Sequence, residues 1–206
     1  MSHLPLPQTP EEVCSSAMVL LGMRPLQSFS EIGRDEVTAA SALYELMVSD
    51  LSEAHRWKFC TGQQLLEVDP DPPLDRYETA FHLPSFAQGT PYFIHTCRSG
   101  DSVQKYEIMG ERIYCDVGSG EGLVAEYSYR VAEAFWPPSF KMCAVFKMAA
   151  MLAAAVTRNA NQMKSMEGSY ELQLMRAKGR DAQSVTPKRL RQKRFLHNRI
   201  MPGPVN

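Results

Sequence analysis

A chain of 206 residues, 44% of them apolar and 22% charged, is long enough to bury roughly 70% of its unfolded surface without disulfide or metal staples. Its five cysteines (Cys14, Cys60, Cys97, Cys115, Cys143) are odd in number and far apart, which supports neither a disulfide framework nor a zinc site and predicts free, mostly buried thiols in a reducing compartment. The net charge of −1 hides an asymmetry: Ser184–Asn206 holds six Lys or Arg and no acid, leaving 16 basic against 23 acidic residues, or −7, in the rest.

The opening MSHLPLPQTP has neither a basic n-region nor an apolar h-region, so no secretion signal is expected. Thr9 and Glu12 stand at capping-box spacing around Pro10. They predict a helix over about 10–22, with Val13, Ala17, Leu20 and Leu21 on one face and Gly22 as its stop. Ala40, Leu43, Met47, Leu51 and Ala54 recur at steps of three and four, which predicts a second helix over about 35–57. The period then changes. Phe59–Val68, Tyr77–Leu83, Tyr92–Cys97, Val103–Met109, Arg112–Val117 and Leu123–Val131 are short runs rich in β-branched and aromatic residues. Asp69-Pro-Asp-Pro-Pro73, Ser99-Gly100-Asp101 and Gly110-Glu111 punctuate them, and together they predict a small antiparallel sheet over about 59–131.

Helical character returns at Pro137-Pro138-Ser139 and predicts a third helix over about 139–157. Met142–Val156 is apolar on every side except Lys147; with fifteen such residues and Lys141 and Arg158 flanking, it reads as a buried helix and not a bilayer span. Asn159 interrupts the run, and Met163, Met166, Tyr170, Leu174 and Ala177 mark one stripe of a fourth helix over about 160–182. Seven of the twelve Met fall in the last third, which suits a multi-partner surface as well as a plain core. The expected fold is α+β: a four-helix bundle with a small antiparallel β-sheet inserted between the second and third helices, within residues 1–186. An extended basic tail over 187–206 follows, too poor in apolar residues to order itself in the isolated subunit.

Little in the sequence points to catalysis. Gly118-Ser-Gly-Glu-Gly122 lacks the Lys-Ser/Thr of a phosphate cradle and precedes a strand, so a hairpin loop is expected there. Ser102-Val-Gln-Lys105 has Ser-x-x-Lys spacing but lies where a strand should begin, not on a helix. The histidines (His3, His55, His82, His95, His197) are scattered, and the His95–Cys97 pair has no third group to orient it. No catalytic residue, metal or cofactor is expected. The tail could release counterions from nucleic acid or meet an acidic protein surface; its one aromatic, Phe195, is too little for a stacking platform.

Several residue groups together resemble the tail tubular protein A family, the head-to-tail adaptors of short-tailed bacteriophages. Val13-Cys14 with Leu20-Leu21-Gly22-Met23-Arg24-Pro25-Leu26 is similar to the family's opening helix and its Leu-Gly-x-x-Pro-Ile end. Trp57-Lys58-Phe59-Cys60 resembles its Trp-x-Phe-Ala step out of the second helix, and Tyr77-x3-Phe81-x-Leu83-Pro84 its Tyr-x-Tyr-x-Leu-Pro strand. Tyr127–Val131, Pro137–Phe140, Met151–Ala155, Tyr170 and Ala177–Ala182 parallel its last strand and two closing helices, so the likeness covers roughly 11–183. Cys60 stands where the family has a small residue, Phe81 where it has Tyr, and the basic tail is not a family constant.

The resemblance implies a structural virion protein and not an enzyme: a connector of the phage neck that docks under the portal and forms part of the channel for DNA ejection. Its implied partners are the portal protein, the tail nozzle or tail tube protein, and copies of itself in a ring of about twelve with heterologous side-to-side contacts. Genomic DNA would pass without specific binding, no membrane is involved, and the chain would be made in the host cytoplasm before joining the virion. The ring is expected only in the presence of portal. Within the tail, Phe195 and Leu196 are expected to fill a pocket on the portal or a neighbouring subunit while Arg189, Arg191 and Arg194 pair with carboxylates. The alternatives are a nucleic-acid-binding accessory protein that uses the same tail on DNA and, further off, a small hydrolase.

Overall fold

The computed structural model of the chain describes residues 6–71, 73–83, 88–96 (backbone alone) and 105–184. The expected tail over 187–206 lies outside the described residues, as do His3, Pro84, Cys97, Ser102 and His197.

The described residues form four α-helices and six strands in mixed α+β order. Helix α1 spans Pro10–Leu20. Thr9 accepts from the Glu12 N–H at 3.3 Å, whereas the Glu12 carboxylate reaches the Gln8 N–H at 2.6 Å, one residue before the partner a capping box would choose. Gly22, at φ +73°, ends the helix as expected: the Met23 N–H reaches back to the Met18 carbonyl at 2.9 Å. The buried face holds Val13, Cys14, Ala17, Met18 and Leu21, but Leu20, expected there, is exposed. Helix α2, Asp35–Glu53, is four residues shorter than the predicted span. The Trp57 indole donates to the Leu51 carbonyl at 2.9 Å, which folds the following turn back across the helix end and prevents its continuation.

A 3-10 turn at Lys58–Cys60 leads into β1 (Thr61–Leu65), followed by β2 (Thr79–His82), β3 (Gln88–Thr96), β4 (Tyr106–Met109), β5 (Arg112–Cys115) and β6 (Leu123–Ser128). The single sheet expected from the sequence is corrected to two three-stranded antiparallel sheets, ordered β1-β6-β3 and β2-β5-β4. Among the described residues only β4 and β5 form a tight hairpin, turning at Gly110 with φ +63°. The Gly118–Gly122 segment is likewise no hairpin loop; it carries the chain from β5 in one sheet to β6 in the other. The physical reason is that alternation identifies strands without naming partners, and β1 pairs with β6 across nearly sixty residues of sequence, Thr61 opposite Ser128. Pro91, which has no N–H to donate, lies in edge strand β3 within a stretch of irregular register. Both sheets feed one small core of Leu66, Phe81, Ile113, Cys115, Val117, Leu123 and Ala125.

After a 3-10 turn at Glu133–Phe135, α3 runs Pro138–Leu152 and widens into a π-helical turn at Ala153–Thr157. Arg158, at φ +51°, breaks it, and Asn159 caps α4 (Ala160–Gln183) by accepting from the Asn161 and Gln162 N–H groups. With its π turn α3 is long and apolar enough to cross a membrane by length and composition alone, but α1, α2 and α4 all pack on it. Its core residues Phe140, Cys143, Ala144, Met148, Ala149 and Leu152 are at most 1% exposed. Truncating one of them, Leu152→Ala, should cost about 2–5 kcal/mol, because neighbours that dense cannot collapse into the space. Lys147 enters this layer only because its ammonium pairs with Asp50 of α2 and lies 5.1 Å from the Tyr170 ring of α4.

Candidate functional site

The end of α2, the entry to α3 and the end of α4 meet at one corner. Trp57 is 1% exposed; its ring meets Phe140 edge-on at 5.0 Å, and Phe140 meets Phe59 at 4.8 Å and Trp136 at 4.9 Å. Edge-to-face pairs of this kind add about 0.5–1.5 kcal/mol each beyond their area. Asp181 in the last turn of α4 closes the corner: it accepts from the Lys58 backbone N–H at 3.1 Å and pairs with His55 Nε2 at 3.1 Å. Its carboxylate serves as a cap for the 3-10 turn from 123 residues away.

A cavity of about 250 Å³ opens at this corner. Trp57, Phe59 and Phe140 with Pro137 give it an apolar, largely aromatic floor, and the exposed Lys58, Arg180 and Ser184 stand around it. Its one carboxylate, Asp181, is already committed, so the cavity offers apolar area with a cationic border. Such a surface accepts an apolar side chain.

A second constellation holds the sheets to the helices. Glu133, 7% exposed, accepts from the Tyr44 hydroxyl at 3.0 Å and from Arg130, whose guanidinium lies 5.4 Å from the Trp136 ring and 3.6 Å from Glu45. Burial pushes the Glu133 carboxyl up, but the hydrogen bond from Arg130, the Glu133 backbone, the Arg130 charge and the Tyr44 hydroxyl together hold it below the usual carboxylate range. Burial pushes the Tyr44 hydroxyl far up, and the adjacent Glu133 charge adds to the effect. In the sheet region Asp69, 5% exposed, has Arg112 Nε 2.6 Å from its Oδ2, close enough to neutralise the charge but not aligned as a hydrogen bond. These are groups that hold a body rigid.

The four described cysteines are buried and free. Burial raises the Cys14 thiol to about 12 and the Cys60, Cys115 and Cys143 thiols to about 11, which leaves them protonated and inert near neutral pH. Among the described residues no three His, Cys, Asp or Glu converge for a metal ion. His55 serves Asp181, and His82 Nε2 lies 3.6 Å from Asp69. The predicted partner-binding residues Arg189, Arg191, Arg194, Phe195 and Leu196 lie outside the described residues, as does the Cys97 of the His95–Cys97 pair. Sequence reasoning missed the Asp181 cap and the Tyr44–Glu133 bond, which join positions 123 and 89 residues apart. The Arg130–Glu133 i,i+3 spacing was the one local signal available. No protein-family model and no curated protein matches the chain.

Proposed function

We propose that the chain is a structural ring subunit of a short-tailed phage neck, the head-to-tail adaptor that docks beneath the portal. The observation that carries the reading is where the resembling residues lie. Trp57-Lys58-Phe59-Cys60, Pro137–Phe140 and Asp181 come from three separate stretches and converge on one packed corner. The helix pair, β insertion and helix pair follow the order that the resemblance implies. The four helices are read as one up-and-down bundle, supported by end-to-end ties: Gln162 at the start of α4 donates to the Leu21 carbonyl at the end of α1, while Asp181 ties the other end of α4 to the exit of α2.

A ring that conducts DNA must not hold it. The sheet region supplies an acidic surface for that purpose: Glu67, Asp71, Asp75, Glu78, Glu111, Asp116 and Glu121 are all exposed. Facing the lumen, they would prevent the counterion release through which DNA sticks to proteins. The partners on this reading are the portal above, a tail nozzle or tail tube protein below, and neighbouring copies at the sides. The rival, a nucleic-acid-binding accessory protein, is favoured by one feature, the six cations of the tail. Gel-shift titration with and without Lys188–Asn206 separates the two. Counting the chain in purified neck-bearing particles tests the proposal itself. About twelve copies per particle are expected for a closed ring matched to a portal. Absence, or one or two copies, would overturn it.

A further inference from the structure

Two helix faces point away from α3 with the same spacing, one acidic and the other cationic over its C-terminal half. On α2 the outward stripe is Ala42, Leu46, Ser49 and Glu53; on α4 it is Gly168, Leu172, Met175 and Gly179. Both run i, i+4, i+7, i+11, the four–three alternation by which two helices interlock along a seam. Leu46 is 61% exposed, Leu172 47% and Met175 71%, far more than the inward-facing residues of either helix. The small residues between them are open, and a Cβ built at Gly168 or Gly179 meets nothing within 4 Å. Small positions beside large ones allow two helix axes to approach within about 8–10 Å.

Charge then selects the pairing. Asp35–Glu53 contains five carboxylates and not one Lys or Arg. Two of them, Glu45 and Glu53, are exposed beside Leu46, Glu45 with Arg130 of its own chain 3.6 Å away. Arg176 and Arg180 are exposed beside Met175 and Gly179, while Glu167 and Glu171 flank the Gly168–Leu172 end of the stripe, so the cationic part of the α4 face is its C-terminal half. A second α2 face would repel the first, whereas the C-terminal half of the α4 face, with Arg176 and Arg180, attracts it.

We infer that the outer face of α4 in one copy docks on the outer face of α2 in the next, a head-to-tail contact in which each subunit offers one face and receives the other. Such a heterologous contact propagates from copy to copy and closes when its rotation permits; the inference rests on the ring reading for closure alone. A single helix pair is smaller than the roughly 1,600 Å² of a standard stable interface, so the contact is weak in solution and gains from a template.

Cysteine trapping in the full-length chain tests the contact. With a short bismaleimide at high protein concentration, Leu46→Cys/Leu172→Cys should give a ladder of multimers. Either single variant, and the unsubstituted chain, should give monomers. In the double-cysteine background, Glu45→Lys/Glu53→Lys and Arg176→Glu/Arg180→Glu should each lower the multimer yield about ten-fold, from loss of opposite-charge pairs and gain of like-charge ones. Mixing the two charge-reversed proteins should restore it, since each then complements the other at both faces. Monomers alone from the double-cysteine chain, a dimer from Leu172→Cys alone, or a ladder indifferent to charge reversal would each overturn the assignment. The neck reading is judged separately: a portal-bound ring that does not cross-link removes this interface and leaves the adaptor role, whereas a ladder from a chain absent from neck particles does the reverse.

Discussion

Glu133 is a buried acid whose partners come from three directions: Tyr44 from α2, Arg130 from the strand exit, and Trp136 beneath the guanidinium. Because its folded-state carboxyl is held below its ordinary value of 4.5, the charged form is the one that stabilises the fold. That contribution is fully present above the ordinary value and is lost as pH falls through the lowered one. The native chain should therefore lose stability below about pH 4.5 as this carboxylate takes up a proton. Glu133→Gln should be less stable than the native chain at neutral pH and show a shallower decline in acid. Chemical denaturation at a series of pH values reads both effects, and parallel acid limbs for the two proteins would show that the network contributes nothing to acid stability.

Among the elements, the helices were the most legible part of the sequence. Thr9 with Pro10, and Gly22, are local signals that act at the helix ends where their chemistry placed them, whereas Asn159, read as the residue that breaks the third helix, caps α4 and leaves the break to Arg158. The end of α2 was not legible, since the Trp57–Leu51 bond that folds the chain back is a tertiary event without a period of its own. Strand positions could be read from alternation, but partners could not, and one expected sheet became two. Between α3 and α4, Arg158 occupies the left-handed region at φ +51°, a conformation that costs a residue with a Cβ about 1–2 kcal/mol. Arg158→Gly relieves that strain and should raise the thermal midpoint modestly. Asn159→Ala, one residue on, removes the cap of α4 and should lower stability by about 1 kcal/mol. Calorimetry on both variants checks the pair; a destabilised Arg158→Gly would mean that the arginine side chain makes a contact outweighing its backbone cost.

For the whole molecule, charge is distributed in a way a ring subunit can use. The sheets present carboxylates, α2 is acidic along its outward side, the last turns of α4 carry Arg176, Lys178 and Arg180, and the 22 residues beyond Ser184 add six cations. That terminal segment was the most conspicuous feature of the sequence, yet no sequence argument fixes its contacts, because Phe195-Leu196 is its one sizeable apolar pair. Ordering about twenty residues costs roughly 1–2 kcal/mol each in backbone freedom, more than one apolar pair returns. Docking of this segment would need a partner to supply the difference. Truncation after Val185 should leave the thermal midpoint of the isolated chain nearly unchanged while weakening its attachment to portal sharply. Equal attachment by the truncated and full chains would remove the tail from the docking account.

The adaptor role is tested most directly by electron microscopy of the purified chain mixed with the portal protein of the same particle. A closed ring of about twelve copies beneath the portal is expected, absent when the chain is imaged alone, with carboxylates of the sheet region around the channel. A portal that remains bare at saturating chain, or a ring whose lumen is lined by Arg and Lys, would contradict it.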